Sequence, residues 1–118
     1  MLAFLSRLFS PRAAPAGWLD AAELRRRLAG DAPPLVVDVR SPEEFDGPLG
    51  HIDGAVNIPL GELSARRQEI AGTRRPIVTV CLTDKRSAQA AADLAAAGVA
   101  PVAVLRGGMR EWRAAADN

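Results

Sequence analysis

The fold class is decided by residues 76–98, PIVTVCLTDKRSAQAAADLAAAG. Residues 76–80 are mostly apolar and β-branched, which predicts a short buried strand. Residues 81–85 predict a loop. The alanine-rich run 86–97 predicts a helix that ends at Gly98. A short apolar strand that is joined by a short loop to a helix is the repeating unit of parallel sheets.

The same alternation of short apolar strands and helices continues on both sides of this stretch. Further strands are predicted at 35–37, 55–58 and 102–105, and further helices span 21–29, 61–70 and 109–115 and begin at 42. The helix starts carry capping signals, which are Asp20 with Glu23, and Ser41 before Pro42. Because the predicted strands are almost entirely apolar, the sheet should be covered on both faces. The sequence therefore predicts an α/β fold, a small central parallel sheet flanked by helices on both faces.

Length and composition indicate one globular domain. The chain has 118 residues, of which 48 % are hydrophobic and 25 % charged. The formal net charge of +1 gives no reason to expect nucleic acid as a partner. Residues 1–17 predict an apolar N-terminal segment and a Pro/Ala-rich linker, so the domain is expected at 18–118.

The apolar N-terminal residues 1–9 have two interpretations. A short amphipathic helix there would contact a membrane surface or a partner. The favoured interpretation is a frayed end, or a segment packed on its own domain. No apolar run in the chain reaches the 18 residues that suggest a spanning helix. A cytoplasmic protein is expected.

The chain has one cysteine, Cys81, and one histidine, His51. An internal disulfide is impossible, and a zinc site built from Cys and His lacks ligands. No metal and no cofactor is therefore expected. A lone cysteine is either a buried apolar residue or a reactive thiol. The polar run that starts at Thr83 argues against burial and favours the reactive thiol.

In a parallel sheet, Cys81 would lie at the carboxyl edge, where α/β proteins bind their ligands. Two further strand ends, 38–40 and 106–108, should meet it there. The backbone N–H groups of the loop and of the following helix can surround one anion. Those groups, with Lys85 and Arg86, favour a thiolate at Cys81.

The negative charge of Asp84 would instead disfavour a thiolate at Cys81. We expect its carboxylate to face outward or to accept hydrogen bonds from the loop N–H groups. A thiolate in an anion-binding loop suits a donor with an anionic leaving group, such as thiosulfate. Sulfur would move to Cys81 as a persulfide and then to cyanide or a thiol. Since no second cysteine exists, the acceptor must be external.

With these residues in view, the chain resembles the single-domain rhodaneses. The resemblance covers residues 18–116 and is carried by the following segments: VDVR at 37–40, EEF at 43–45, GHIDGAVNIP at 50–59, CLTDKRS at 81–87, GGM at 107–109, and Trp112. It implies a small α/β domain with a central parallel sheet and a persulfide on Cys81. It implies that the substrate-binding cradle is formed by Leu82, Thr83, Asp84, Lys85 and Arg86.

The six-residue loop 81–86 is similar to the sulfurtransferase form. Related phosphatases and arsenate reductases of the same fold have a loop that is one residue longer. Asp84 departs from the family pattern and leaves the preference for a dianionic donor open. The predicted function is sulfane-sulfur transfer. The alternatives are a sulfur carrier that is fed by a partner protein, and a phosphatase or arsenate reductase.

Four other positions carry narrower expectations. Arg40 pairs with Asp38 in the favoured interpretation, and it is kept as a candidate secondary contact to the anionic substrate. His51 is expected to be a structural hydrogen-bonding residue rather than a general base. Gly107 and Gly108 should allow close backbone approach to the cysteine loop. Trp112 should anchor the last helix in the core.

Overall fold

The computed structural model describes residues 17–99 and 101–116. The strands of this part are β1 (Gly17–Leu19), β2 (Leu35–Asp38), β3 (Val56–Asn57), β4 (Ile77–Val80) and β5 (Val102–Leu105). Its helices are α1 (Ala21–Leu28), α2 (Pro42–Phe45), α3 (Arg67–Ala71), α4 (Lys85–Ala96) and α5 (Gly108–Ala116). A short 3-10 helix, Leu60–Glu62, follows β3.

The five strands form one sheet in the order β1-β5-β4-β2-β3, and every neighbouring pair is parallel. The predicted α/β fold with a central parallel sheet is confirmed. Strand β4 lies in the middle, and its last residue, Val80, is in register with Asp38 of β2. Parallel pairing therefore brings Cys81 and the residues after Asp38 to the same edge of the sheet.

Alternating strand residues supply two apolar layers, one on each face of the sheet. In β4, Ile77 packs into a layer with Leu94 of α4, while Val78 packs into a second layer with Met109 and Trp112 of α5. The prediction that helices cover both faces is confirmed, and so is the role of Trp112 as a core anchor. Burying these side chains supplies the main free energy that holds the helices on the sheet.

The helix starts agree with the capping signals. The Asp20 side chain accepts the N–H of Glu23, and the Glu23 carboxylate accepts the N–H of Asp20. Ser41 and Glu44 form the same reciprocal pair at the start of α2. Each box satisfies backbone donors that an α-helix leaves without partners.

Two features of the fold differ from the sequence-based expectation. Strand β1 is not predicted by the sequence pattern, which places Gly17 in the linker. Three residues at a sheet edge, with Trp18 41 % exposed, carry no alternation that a sequence could reveal. The helix expected at 61–70 is instead the 3-10 helix followed by the five-residue α3. Only two residues of this region, Leu63 and Ile70, are buried, which is too few to hold a continuous helix on the core.

The expectations for residues 1–16 lie outside the described residues. Strand β1 begins at Gly17, directly after them. None of the helices that the structure describes is long and apolar enough to cross a membrane.

Candidate active site

Cys81 lies directly after β4, and its thiol is buried against the start of α4. The residue is 1 % exposed. Its Sγ lies 3.3 Å from Oγ of Ser87 and 3.4 Å from the backbone N of Ser87, which donates to it. The expectation that the polar run keeps Cys81 exposed is wrong. That run places the loop at the surface, with Lys85 exposed, but the side chain at the strand end still points into the core.

The backbone of the loop is held by the first turn of α5. The N–H of Met109 donates to the carbonyl of Cys81 at 2.9 Å, and the N–H of Arg110 donates to the carbonyl of Leu82 at 3.1 Å. The N–H groups of residues 82–86 donate to no other residue of the described structure. Helix α5 therefore binds the carbonyl groups of the loop, while the N–H groups of the loop remain available to an anion.

Gly108 is what lets α5 approach this closely. Its φ is +55°, and a β-carbon there would collide with the carbonyl oxygens of Cys81, Leu82 and Thr83. Backbone oxygens cannot move aside without displacing the loop. The prediction that the glycine pair allows close approach to the cysteine loop is confirmed for Gly108.

We expect Gly108→Ala to lower the free energy of unfolding by about 2–4 kcal/mol, because left-handed strain adds to overpacking against backbone atoms. Urea denaturation measures this loss. Gly54→Ala is the matched control, since Gly54 has a φ of +84° but no atom within 4 Å of the point where a β-carbon would lie. Equal losses in the two variants would contradict the close contact.

Asp84 neither faces freely outward nor bonds to its own loop. Its Oδ2 accepts the N–H of Gly107 at 3.3 Å. The carboxylate thus ties the loop to the turn before α5. The acceptor role that we expected is present, but its donor comes from another segment of the chain.

Arg86, which the sequence places at the end of the loop, forms a two-pronged ion pair with Glu44 of α2. Its Nη1 lies 2.7 Å from Oε1, and its Nη2 lies 2.9 Å from Oε2. Hydrogen bonding from Arg86 lowers the pKa of Glu44 to about 2, and hydrogen bonding to Glu44 raises the pKa of Arg86. Sequence reasoning missed Glu44 as part of the site, although its capping-box position was visible.

We expect Glu44→Gln to remove a contribution to stability that depends on pH. The native-state pKa of Glu44, about 2, lies below its ordinary value of 4.5. The ion pair therefore contributes fully above about pH 5, and the contribution is lost as the pH falls from 4.5 towards 2. Both side chains are about one-third exposed, so we expect a difference of less than about 1 kcal/mol at neutral pH.

Urea midpoints of the wild type and of Glu44→Gln between about pH 2 and about pH 7 test this prediction. The difference between the two proteins should shrink as the pH falls. Glu43→Gln is the control, because Glu43 is the exposed neighbour and forms no ion pair with a described residue. A gap that stays constant over the whole range would rule out the proposed titration.

Arg40 and Asp38 form a fully buried ion pair beneath the loops at the carboxyl ends of the strands, where Cys81 also lies. Nε and Nη2 of Arg40 donate to the Asp38 carboxylate at 2.9 and 2.7 Å. Nη1 donates to the carbonyl of Glu44, and Nη2 also donates to that of Gly50. Arg40 is 1 % exposed. The favoured interpretation of Arg40 as an ion-pair residue is confirmed, and its role as a substrate contact is withdrawn because its guanidinium is enclosed and engaged.

Asn57 and His51 complete the support of this edge. The amide of Asn57 donates to the carbonyls of Asp38 and Arg40 at 3.0 and 2.9 Å. Nδ1 of His51 lies 2.9 Å from the carbonyl of Phe45, and the two rings stack at 3.6 Å. His51 is thus a structural hydrogen-bonding residue, as predicted. Within the described residues, no group of three or more His, Cys, Asp or Glu side chains is placed to hold a metal ion.

The fold and the site define a class of protein. It is a parallel α/β domain in which a single cysteine follows a central strand, and the loop between this strand and the next helix presents N–H groups that are unpaired within the described residues. The family model of the rhodanese-like domain matches residues 20–115. The chain belongs to the rhodanese-like domain family.

Two relatives show how similar the chain is to known proteins. The chain is 42 % identical over 84 residues to the uncharacterized protein YqhL of Bacillus subtilis, covering 71 % of this chain and 64 % of YqhL. It thus spans less than two thirds of that relative. It is 36 % identical over 94 residues to a sulfurtransferase of Allochromatium vinosum, covering 80 % of this chain and 85 % of the relative.

Among solved structures, the thiosulfate sulfurtransferase of Pseudomonas aeruginosa superposes with a TM-score of 0.76 at 30 % identity. The match covers 86 % of this chain and 19 % of that protein. The similarity therefore concerns only a small part of that longer protein.

Proposed function

We propose that this protein is a sulfurtransferase that carries a sulfane sulfur as a persulfide on Cys81. The observation that carries the proposal is the position of Sγ at the start of α4, within reach of the Ser87 N–H and beneath a loop whose N–H groups 82–86 have no partner in the described structure. Such a site stabilises negative charge on sulfur before and after transfer. The sulfurtransferase relative supports the same activity.

With thiosulfate as donor, the Cys81 thiolate attacks the outer sulfur. A new bond forms between Sγ and that sulfur, and the bond between the two sulfurs of thiosulfate breaks. The electron pair of the broken bond leaves with sulfite, so no oxidant or reductant is needed. The product is an anionic persulfide on Cys81, and the loop N–H groups would stabilise its terminal sulfur.

In the second half-reaction, an external nucleophile attacks the terminal sulfur of the persulfide. Cyanide leaves as thiocyanate, or a thiolate leaves as a persulfide, and Cys81 regains its thiolate. The acceptor must be external because the chain has one cysteine. The sequence of two half-reactions is a ping-pong cycle.

The loop geometry favours sulfur transfer over phosphate chemistry. Six residues, 81–86, lead from the strand end into the body of α4. Nη1 and Nη2 of Arg86 are both bonded to Glu44, so the pair of terminal N–H groups that would bind a phosphate end-on is already occupied. The negative charge on the thiolate or persulfide of Cys81 can be stabilised by N–H donors alone.

Mass spectrometry of the intact protein and of its peptides tests the proposal. After incubation with thiosulfate and desalting, the mass of the protein should rise by that of one sulfur atom, and the peptide that contains Cys81 should carry the increase. One equivalent of sulfite should be released. Cyanide should then remove the added sulfur and yield thiocyanate.

The other candidate functions give different results in the same experiment. Sulfur uptake from a persulfidated partner protein, without uptake from thiosulfate, would identify a carrier. Faster turnover of an aryl phosphate than of any sulfur donor would identify a phosphatase. No sulfur on Cys81 with any of these donors would overturn the proposal.

A further inference from the structure

A cavity that lies away from Cys81 has no part in the proposed sulfur transfer. It has a volume of about 500 Å³ and opens between α1, α5 and the loop before β3. This volume is within the range of small-molecule binding sites. Three arginines from separate parts of the chain line it: Arg25 of α1, Arg75 before β4, and Arg113 of α5.

The cavity lies towards the edge of the sheet opposite Cys81. Arg75 lies before β4 and Cys81 directly after it. A strand rises about 3.3 Å per residue, so β4 alone spans about 10 Å from its first residue to its last. Pro33 and Pro34, which precede the parallel strand β2, line the same cavity.

Backbone carbonyls hold each of the three guanidinium groups in place. Arg25 stacks 3.8 Å above the ring of Trp112 and donates to the Trp112 carbonyl at 3.0 Å. Arg75 donates to the carbonyl of Pro34 at 2.9 Å. Arg113 donates through Nε to a carbonyl of the loop before β3 at 2.7 Å. The groups are therefore oriented before any ligand arrives, which reduces the entropic cost of binding.

No carboxylate among the described residues neutralises these three charges. The ion pairs of that part of the chain use other arginines, namely Arg40, Arg66 and Arg86. The Nη1 group of each cavity arginine also makes no hydrogen bond to a described residue. Asp53 is the one carboxylate in the described lining, so positive charge exceeds negative charge in the cavity.

We propose that this cavity is a binding site for a small oxyanion, a phosphate or a polycarboxylate, held by Arg25, Arg75 and Arg113. Guanidinium groups match the geometry of phosphate and carboxylate oxygens. The apolar part of the lining, which includes Leu28 and Ile52, suits the carbon body of an organic ligand. The site is independent of the sulfur chemistry at Cys81.

An NMR titration of the full chain with pyrophosphate and, separately, with citrate tests the proposal. The measured signals are the indole N–H of Trp112, the Nε–H of Arg113 and the amides of residues 81–87. An ionic strength of about 0.15 M limits attraction to exposed charges. We expect saturable shifts at Trp112 and Arg113 that are independent of any shift at the amides of residues 81–87. Tighter binding of pyrophosphate or of citrate decides between a phosphate and a carboxylate.

Two cavity variants and one matched variant complete the test. Arg75→Gln and Arg113→Gln should each weaken binding about tenfold or more, because each removes a charged hydrogen bond to the ligand. Arg26→Gln removes the same charge from the exposed side of α1, outside the cavity lining, and should leave binding unchanged. The two cavity variants leave in place the contact that Arg25 makes with Trp112 in the core, so they should keep the fold.

Three outcomes would overturn the proposal. The first is the absence of saturable shifts with either probe at about 10 mM. The second is equal weakening by Arg26→Gln and by the cavity variants, which would indicate unspecific attraction to positive charge. The third is a set of shifts confined to residues 81–87, which would place the anion in the cysteine loop.

Discussion

The Cys81→Ser variant is expected to fold normally and to lose sulfur transfer by a factor of at least about a thousand. Serine has nearly the same shape, and its hydroxyl can keep a hydrogen bond with Ser87, 3.3 Å away from Sγ in the wild type. An alcohol oxygen is not ionised at neutral pH and cannot form the sulfur–sulfur bond of a persulfide. The measurements are thiocyanate formation from thiosulfate and cyanide, and the mass of the protein after thiosulfate treatment.

Ser87→Ala is the companion variant. It removes the Oγ contact to Sγ but keeps the backbone N–H that donates to Sγ at 3.4 Å. We expect this variant to retain sulfur uptake and to react about tenfold more slowly, the effect of one hydrogen bond to a charged atom. Sulfur uptake that persists in Cys81→Ser at the wild-type rate would exclude Cys81 as the carrier.

Arg40→Met is expected to lower the free energy of unfolding by about 3–5 kcal/mol. The substitution leaves the carboxylate of Asp38 buried without its cationic partner, and it removes the hydrogen bonds to the carbonyls of Glu44 and Gly50. Urea denaturation at neutral pH measures the loss. Such a loss is large against the total stability of a domain of this size.

Two further variants separate the buried charge from other effects of the substitution. The double variant Asp38→Leu/Arg40→Met removes both charges and should recover part of the stability, because no uncompensated charge remains buried. Arg66→Met removes an arginine whose ion pairs with Glu62 and Glu69 are exposed, and it should leave the midpoint nearly unchanged. If Arg40→Met were as mild as Arg66→Met, the buried pair would not hold this edge together.

Asp38 and Arg40, which support the site, are buried, whereas residues 82–86 of the loop are half-buried or exposed. Asp38 and Arg40 fix the strand ends by buried hydrogen bonds, and the half-buried Asn57 adds two more. Helix α5 then holds the loop carbonyls through Met109 and Arg110. In the proposed sulfur transfer, negative charge moves from Sγ of Cys81 to the terminal sulfur of the persulfide. N–H donors that are already fixed can stabilise both positions, because they do not have to reorganise during the reaction.

Much of the fold followed from local patterns. The apolar run before Cys81 predicted β4, the alanine-rich run predicted α4, and the capping signals predicted the starts of α1 and α2. These signals act over short stretches of chain, so the sequence displays them directly. Strand β1 and the break between the 3-10 helix and α3 were missed because their signals are short and depend on what packs against them.

The candidate site divides in the same way. By itself, the sequence determined that Cys81 follows a buried strand, that a loop of six residues leads from it into a helix, and that no second thiol is present. The tertiary structure decided that Cys81 is buried, that Arg86 is engaged by Glu44, and that Arg40 belongs to the scaffold. The physical reason is distance along the chain: the Arg86–Glu44 pair joins residues 42 positions apart, and only the packing of α2 beside α4 brings them together.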